Sequence, residues 1–274
     1  MSNRVLVAGA TGGVGQLTVA FLLEKGFLVR VLTRSEQKAQ QMFNNQVEIA
    51  VGDIRQAQTL PTAVQDVTHI ICCTGTTAFP SARWEFDLPQ TNQLQSLIEW
   101  GKIYFNADYR NSKARNSPAR VDAQGVRNLV DAAPKNLKRF VFVSSCGIER
   151  KDKPPFSLLN AFGVLDAKQQ GEQAIVSSGL PYTIIRPGRL IDGSFTSYDL
   201  NTLLKATTGG KLGVVIGTGD KLSGQTSRID VAAACVECLN YPATEGKIFE
   251  LINAGNRPDA IAWTELFAQL APPA

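Results

Sequence analysis

The feature that most constrains this chain lies at its start. A short apolar run, Val5-Leu6-Val7-Ala8, meets glycines at positions 9, 12 and 15. Such a run reads as a buried parallel strand, and Val14, Leu17 and Phe21 beyond the glycines have the spacing of a helix's buried stripe. Gly26 predicts the C-terminal cap of that helix. Strand, glycine turn and helix together form a cradle for a nucleotide diphosphate. Glycine is required where the turn is tight and where backbone approaches phosphate. The amides and partial positive charge at the helix start then hold the pyrophosphate. A tight turn with no ligand is the alternative, and the flanking strand and helix argue against it. The candidate cradle residues are Gly9, Thr11, Gly12, Gly13, Val14 and Gly15.

The segments that follow repeat the alternation. Strands are predicted over 29–33, 47–51, 69–73, 140–143, 183–186 and 248–252, with helices over 121–133 and 165–176. This pattern implies an α/β fold, a doubly wound parallel sheet of the Rossmann type, with a small C-terminal region on the substrate side. One NAD(P)-binding domain is expected over 1–274, with substrate-side segments at 188–230 and 254–274. After the second strand, an NAD-selective site carries an acid that accepts from the ribose 2′-hydroxyl. This chain has Thr33, Arg34 and Ser35 there, with Lys38 a turn later. A guanidinium fork and a hydroxyl suit a 2′-phosphate, which favours NADP(H) over NAD(H); a solvated helix start is the competing reading. Asp53, with Ile54, follows the third strand and is expected near the adenine or as a helix N-cap. Thr74 and Gly75, beyond the fourth strand, are expected against the ribose and nicotinamide. The only histidine, His69, starts that strand, on the side away from the ligand end of such sheets, so it is not expected to be catalytic.

Residues 76–120 break the pattern, because a strand-to-helix connection is ordinarily two to six residues. This insertion carries Phe79, Trp84, Phe86, Trp100, Tyr104, Phe105 and Tyr109. A short helix is expected over 90–100, with Leu94, Leu97 and Ile98 as its apolar side, and a mobile basic end over 110–118. The insertion is either a substrate lid or a docking surface for a protein partner.

Composition narrows the class. The chain has 274 residues, 44% hydrophobic and 19% charged, with a net charge of +4 and no long run of one sign. That suits mild steering of an anionic cofactor and not nucleic-acid binding. No apolar run is long enough to span a bilayer. The neighbours Cys72 and Cys73 point to opposite faces of a strand. Cys235 and Cys238 read as small buried hydrophobes and not as a metal site, and no metal is expected. A reducing compartment follows: the cytoplasm, or the chloroplast stroma if a transit peptide has been removed.

Several motifs together resemble an atypical, extended-type short-chain dehydrogenase/reductase of the NmrA-like group. They are Gly-Ala-Thr-Gly-Gly-Val-Gly at 9–15, Gly52-Asp53, Val121-Asp122 with Gly125 and Asn128-Leu129, Val143-Ser144-Ser145, the stretch from Tyr182 through Pro187 to Gly188, and Arg228-Ile-Asp-Val231. Residues 74–84 are similar to a cyanobacterial and chloroplast branch linked to redox and photoprotective functions. The resemblance implies an NADP(H)-binding oxidoreductase, with Ser144, Ser145, Lys168, Pro187 and Gly188 on the nicotinamide side. Active relatives use a Tyr-x-x-x-Lys pair, in which lysine binds the ribose and lowers the tyrosine pKa. Here Lys168 fits the lysine, but Val164 stands in the tyrosine's place. Tyr104, Tyr109 and Tyr198 are candidate substitute donors. Lys168 could also be an ordinary solvated helix residue. Two functions stay open: a reductase of a small or apolar substrate with a nonstandard proton donor, or a noncatalytic NADP(H)-binding sensor, regulator or photosynthetic assembly factor.

Overall fold

The computed structural model describes residues 3–80, 84–89, 92–191 and 211–270. Its centre is an eight-stranded sheet of order β3-β2-β1-β4-β5-β6-β10-β8. The strands are β1 (Arg4–Ala8), β2 (Leu28–Thr33), β3 (Glu48–Val51), β4 (His69–Cys72), β5 (Arg139–Val143), β6 (Tyr182–Pro187), β10 (Lys247–Asn256) and β8 (Leu212–Gly217). Seven are parallel, and β8 runs antiparallel to β10 along the edge. The segment expected on the substrate side at 188–230 holds the edge strand β8 and the small pair β7 (Arg189–Leu190) and β9 (Gln225–Thr226) among its described residues. The expected Tyr198 lies outside the described residues.

Alternation along each strand divides the core between the two sheet faces. Val5, Val7, Val141 and Val143 face α1 (Gly13–Glu24), α8 (Arg228–Glu237) and α9 (Trp263–Ala268). Leu6, Ala8, Phe140 and Phe142 face α5 (Val126–Ala132), with Ile175 of α7 (Val164–Val176) in the same cluster. Cys72 and Cys73 fall on opposite sides of this division, as their neighbouring positions require. Covering both faces with helices is what allows these strands to be apolar throughout. α1 ends at Gly26 with φ of +77°, in keeping with the expected cap.

The insertion folds on itself. It contains the helices α3 (Gln93–Phe105) and α4 (Ala107–Lys113). Trp84 stacks on Phe86, whose ring edge meets Trp100; Trp100 continues to Tyr104, and Tyr104 to Phe162 just before α7. Arg110 is buried, donates to the Ile103 carbonyl at 2.9 Å and lies over the Phe162 ring. Two expectations are thereby corrected. Leu97 and Ile98 do not form the buried side of the helix but are exposed, and its buried position is Ile103. The 110–118 end is tied down, with Phe86 bridged to Ala114 and Arg115 N–H donating to the Glu85 carbonyl.

One polar junction fastens the sheet to its helices below the ligand end. At Gly171 of α7, a side chain would come within 2.5 Å of the Asp122 carbonyl, so the helix packs directly on the π-helical turn Ala119–Gly125. Lys168, nearly a turn earlier, then meets Asp122 at 2.9 Å. Its ammonium also donates to the Val143 carbonyl (2.9 Å) and the Thr74 carbonyl (3.1 Å), and it lies over the Phe142 ring. Asp122 accepts in turn from the Thr76 hydroxyl and amide. Removing one member of a buried ion pair leaves the other charge uncompensated, at a cost of about 3–5 kcal/mol. Lys168→Met should lower unfolding free energy by about that amount in denaturant titrations. Adding Asp122→Leu should recover part of it. A loss below about 1 kcal/mol would show that the junction is not structurally important.

His69 offers a second test. It is buried at the N-terminal end of β4, with the Thr68 hydroxyl 2.8 Å from Nδ1 and Phe27 edge-on to its ring. Burial, then the charges of Lys138 and Arg139, push its pKa from 6.5 down to about 4. The unfolded chain therefore binds the proton first. The contribution of neutral His69 to stability is complete above about pH 6.5 and is lost as pH falls towards 4. As the single imidazole in the chain, it gives one NMR titration, expected near pH 4; a midpoint near 6.5 would contradict its burial.

Candidate functional site

A cleft of about 720 Å³ opens at the carboxyl ends of β1, β2, β3 and β4. In open parallel sheets this is the end at which ligands bind. Gly9, Thr11 and Gly12 form its floor, and Gly12 precedes α1 with no side chain capping the helix start. The first-turn amides of α1 are left to be satisfied by an anion. The interlock that makes this turn possible lies at Gly15, where a Cβ would sit 2.1 Å from the Gly9 carbonyl oxygen. No other residue fits there. A nucleotide diphosphate fits this cradle on geometric grounds. Gly13, Val14 and Gly15 do not line the cleft: they are buried behind it and act through backbone.

At one end of the cleft lie Thr33, Arg34, Ser35 and Lys38. The Thr33 hydroxyl accepts from the Ser35 amide at 3.1 Å, and Ser35 caps α2 (Glu36–Phe43) by accepting from the Lys38 amide. These bonds fix the turn that carries Arg34. Asp53 and Ile54 also line the cleft. Asp53 is not the helix N-cap that one expectation had it: Gln56 takes that place before the short turn Ala57–Thr59. It accepts from the Arg55 amide at 2.9 Å and is held by the Arg55 guanidinium at 2.9 Å. Burial would raise the Asp53 carboxyl, but the bonds from Arg55 outweigh it and leave the pKa below the usual carboxylate value. Arg55 in turn donates to the Arg115 carbonyl at 2.8 Å, so it joins β3's loop to the insertion.

Sequence reasoning missed Arg55, and it missed Glu85 and Asn116, which reach the cleft from the insertion. Arg55 carried a signal, being two residues after Asp53. Glu85 and Asn116 carried none, since only the folded insertion brings them here.

Thr74, Gly75 and Thr76 form the opposite wall. Ser144, Ser145, Lys168, Pro187 and Gly188 are not on it. The Ser144 hydroxyl is buried with no hydrogen-bond partner among the described residues, and Ser145 donates to the Cys146 carbonyl at 3.0 Å. Lys168 lies directly under Gly75: a Cβ there would be 3.2 Å from its Nζ. It is buried, which corrects the reading of it as a solvated helix residue. Gly188 is packed against the Gly224 carbonyl, and its amide donates to the Leu251 carbonyl. Val164 is the first residue of α7 and is half-buried. Tyr109 is engaged by the Glu99 carboxylate, away from the cleft. No cluster of metal-ligating side chains occurs among the described residues, and no helix there is long and apolar enough to cross a membrane.

Comparison with known proteins agrees with this geometry. A family described as NAD(P)H-binding matches residues 9–242. Sanguinarine reductase of Eschscholzia californica is 29% identical, with 98% of this chain and 96% of that protein covered. The chloroplastic protein TIC 62 of Pisum sativum is 31% identical over 68% of this chain, which spans about a third (32%) of that longer protein. Among solved structures, a candidate NAD-dependent epimerase/dehydratase from Bacillus halodurans superposes with a TM-score of 0.66 at 24% identity. The alignment covers 98% of this chain and 100% of that one, which establishes a shared fold. From its sheet order, its glycine cradle and the match over 9–242, this chain belongs to the NAD(P)H-binding family and has a Rossmann fold.

Proposed function

We propose that this protein binds NADP(H) in preference to NAD(H) and acts as a reductase of a small or apolar organic substrate. The observation that carries the cofactor choice is the end of β2, where Arg34, Ser35 and Lys38 line the cleft and the turn holds no acid until Glu36. Arg34 with the Ser35 hydroxyl would hold the 2′-phosphate, and Gly9 to Gly15 with the start of α1 would hold the pyrophosphate. Thr74 and Gly75 would border the ribose, with Ser144, Ser145, Pro187 and Gly188 towards the nicotinamide. Hydride transfer is the chemistry that NADPH supplies when bound. The similarity to sanguinarine reductase over nearly the full length of both chains supports the reductase reading.

One observation favours a second, noncatalytic reading as a sensor or assembly factor. Val164 has no proton to give, and the ammonium of Lys168 is engaged by Thr74, Val143 and Asp122. A lysine so engaged supports the wall of the site at Gly75 without freely binding a ribose. In this reading the exposed Leu97, Ile98 and Phe105 of α3 would meet a protein partner. The likeness to a chloroplastic protein is compatible with a place in the chloroplast stroma as well as in a cytoplasm.

Loss of a charge-assisted contact costs on the order of 1.5–3 kcal/mol. Arg34→Ala should therefore weaken NADPH binding about ten- to a hundredfold while NADH changes little. Equal affinity of the unmodified protein for both nucleotides would sink the proposed preference.

NADPH oxidation with simple ketones, aldehydes and quinones separates the two readings. General acid catalysis contributes about 10²–10⁴-fold. Turnover on simple carbonyls is accordingly expected to be slow, with a measurable gain in Val164→Tyr. Brisk carbonyl reduction by the natural sequence would overturn the noncatalytic reading.

A further inference from the structure

The phosphate-reading end of the cleft contains a carboxylate supplied by the insertion. Glu85 lines the cleft, with Oε1 3.7 Å from Nη1 of Arg34, and both side chains are exposed. Its backbone is held on both sides. The Glu85 amide donates to the Asn116 side-chain carbonyl at 2.7 Å, and its own carbonyl accepts from Arg115 at 2.8 Å. The next residue, Phe86, is bridged to Ala114, and the preceding one, Trp84, is buried and donates from its indole to the Thr77 carbonyl. Arg55 fastens this strand pair to the loop after β3 through the Arg115 carbonyl. Glu85 is thus a tethered counter-ion. It can turn its side chain, but its main chain cannot leave the cleft without breaking these bonds.

We propose that Glu85 is a specificity-determining residue that competes with a 2′-phosphate for Arg34 and so limits the preference of this site for NADP(H) over NAD(H). The proposal rests on the NADP(H) reading above. A phosphate monoester carries a charge of about −1.5 to −2 at neutral pH. To reach Arg34 it must displace a carboxylate and then remain beside it. A nucleotide with a free 2′-hydroxyl brings no charge and leaves the Glu85–Arg34 pair intact. The opposition therefore falls on one cofactor alone. Because the pair is exposed, its effect is a few-fold and not several orders of magnitude. It should also shrink as salt is added.

The test uses the adenosine end by itself, with calorimetric affinities of the full chain for 2′,5′-ADP and 5′-AMP. In Glu85→Gln, 2′,5′-ADP should bind about two- to fivefold tighter while 5′-AMP affinity stays unchanged. The gain should vanish in an Arg34→Ala background. Glu85→Asp, which keeps the charge and perturbs the same backbone, should not tighten 2′,5′-ADP. An unchanged 2′,5′-ADP affinity in Glu85→Gln, an equal gain for both ligands, or a gain that persists without Arg34 would each overturn the proposal. In those cases the NADP(H) reading stands, provided that Arg34→Ala alone still weakens 2′,5′-ADP. If Arg34→Ala leaves 2′,5′-ADP binding unchanged, the cofactor reading falls and the role of Glu85 falls with it.

Discussion

The ammonium of Lys168 joins four parts of the fold that meet under the cleft. It takes the last carbonyl of β5, the carbonyl of Thr74 beyond β4, and the carboxylate of Asp122 in the turn before α5, while its own backbone belongs to α7. Strand ends in a parallel sheet carry outward-facing carbonyls, and a buried cation satisfies them where water cannot reach. Asp122 offsets the charge and passes the connection on to Thr76, the residue with which the insertion begins. The wall of the cleft at 74–76 is consequently set by a charge that the cleft itself does not expose.

The same junction bears on chemistry. In the resemblance that the sequence suggests, a lysine here serves the cofactor ribose and a neighbouring phenol. In this fold it already serves two carbonyls and a carboxylate, and the phenol is Val164. Neither residue lines the nucleotide cradle. Cofactor geometry and proton donation are separable in such a fold, because the cradle is made of backbone and a proton donor is a single side chain.

The insertion is joined to the nucleotide site through polar backbone contacts and to α7 through an aromatic chain. Trp84, Phe86, Trp100 and Tyr104 form a small core of their own that reaches Phe162. That core is what makes Glu85 and Asn116 fixed parts of the cleft wall. Leu97 and Ile98 are left outside it, on the side of α3 away from the buried Ile103.

The sequence by itself determined the sheet, the cradle and the cationic turn after β2. Each depends on local pattern: apolar runs of strand length, glycines at fixed spacing, and residues held within a few positions of a strand end. It also placed His69 away from the ligand end, since a position along a parallel strand fixes the side of the sheet. Only the tertiary structure decided which acids and bases meet. Glu85 comes from fifty-one residues beyond Arg34, and Lys168 finds Asp122 only because Gly171 lets two helical segments touch. The edge strand β8 likewise emerged only from its pairing with β10. Such contacts depend on distance in space between residues remote in the chain, and no local periodicity encodes that distance.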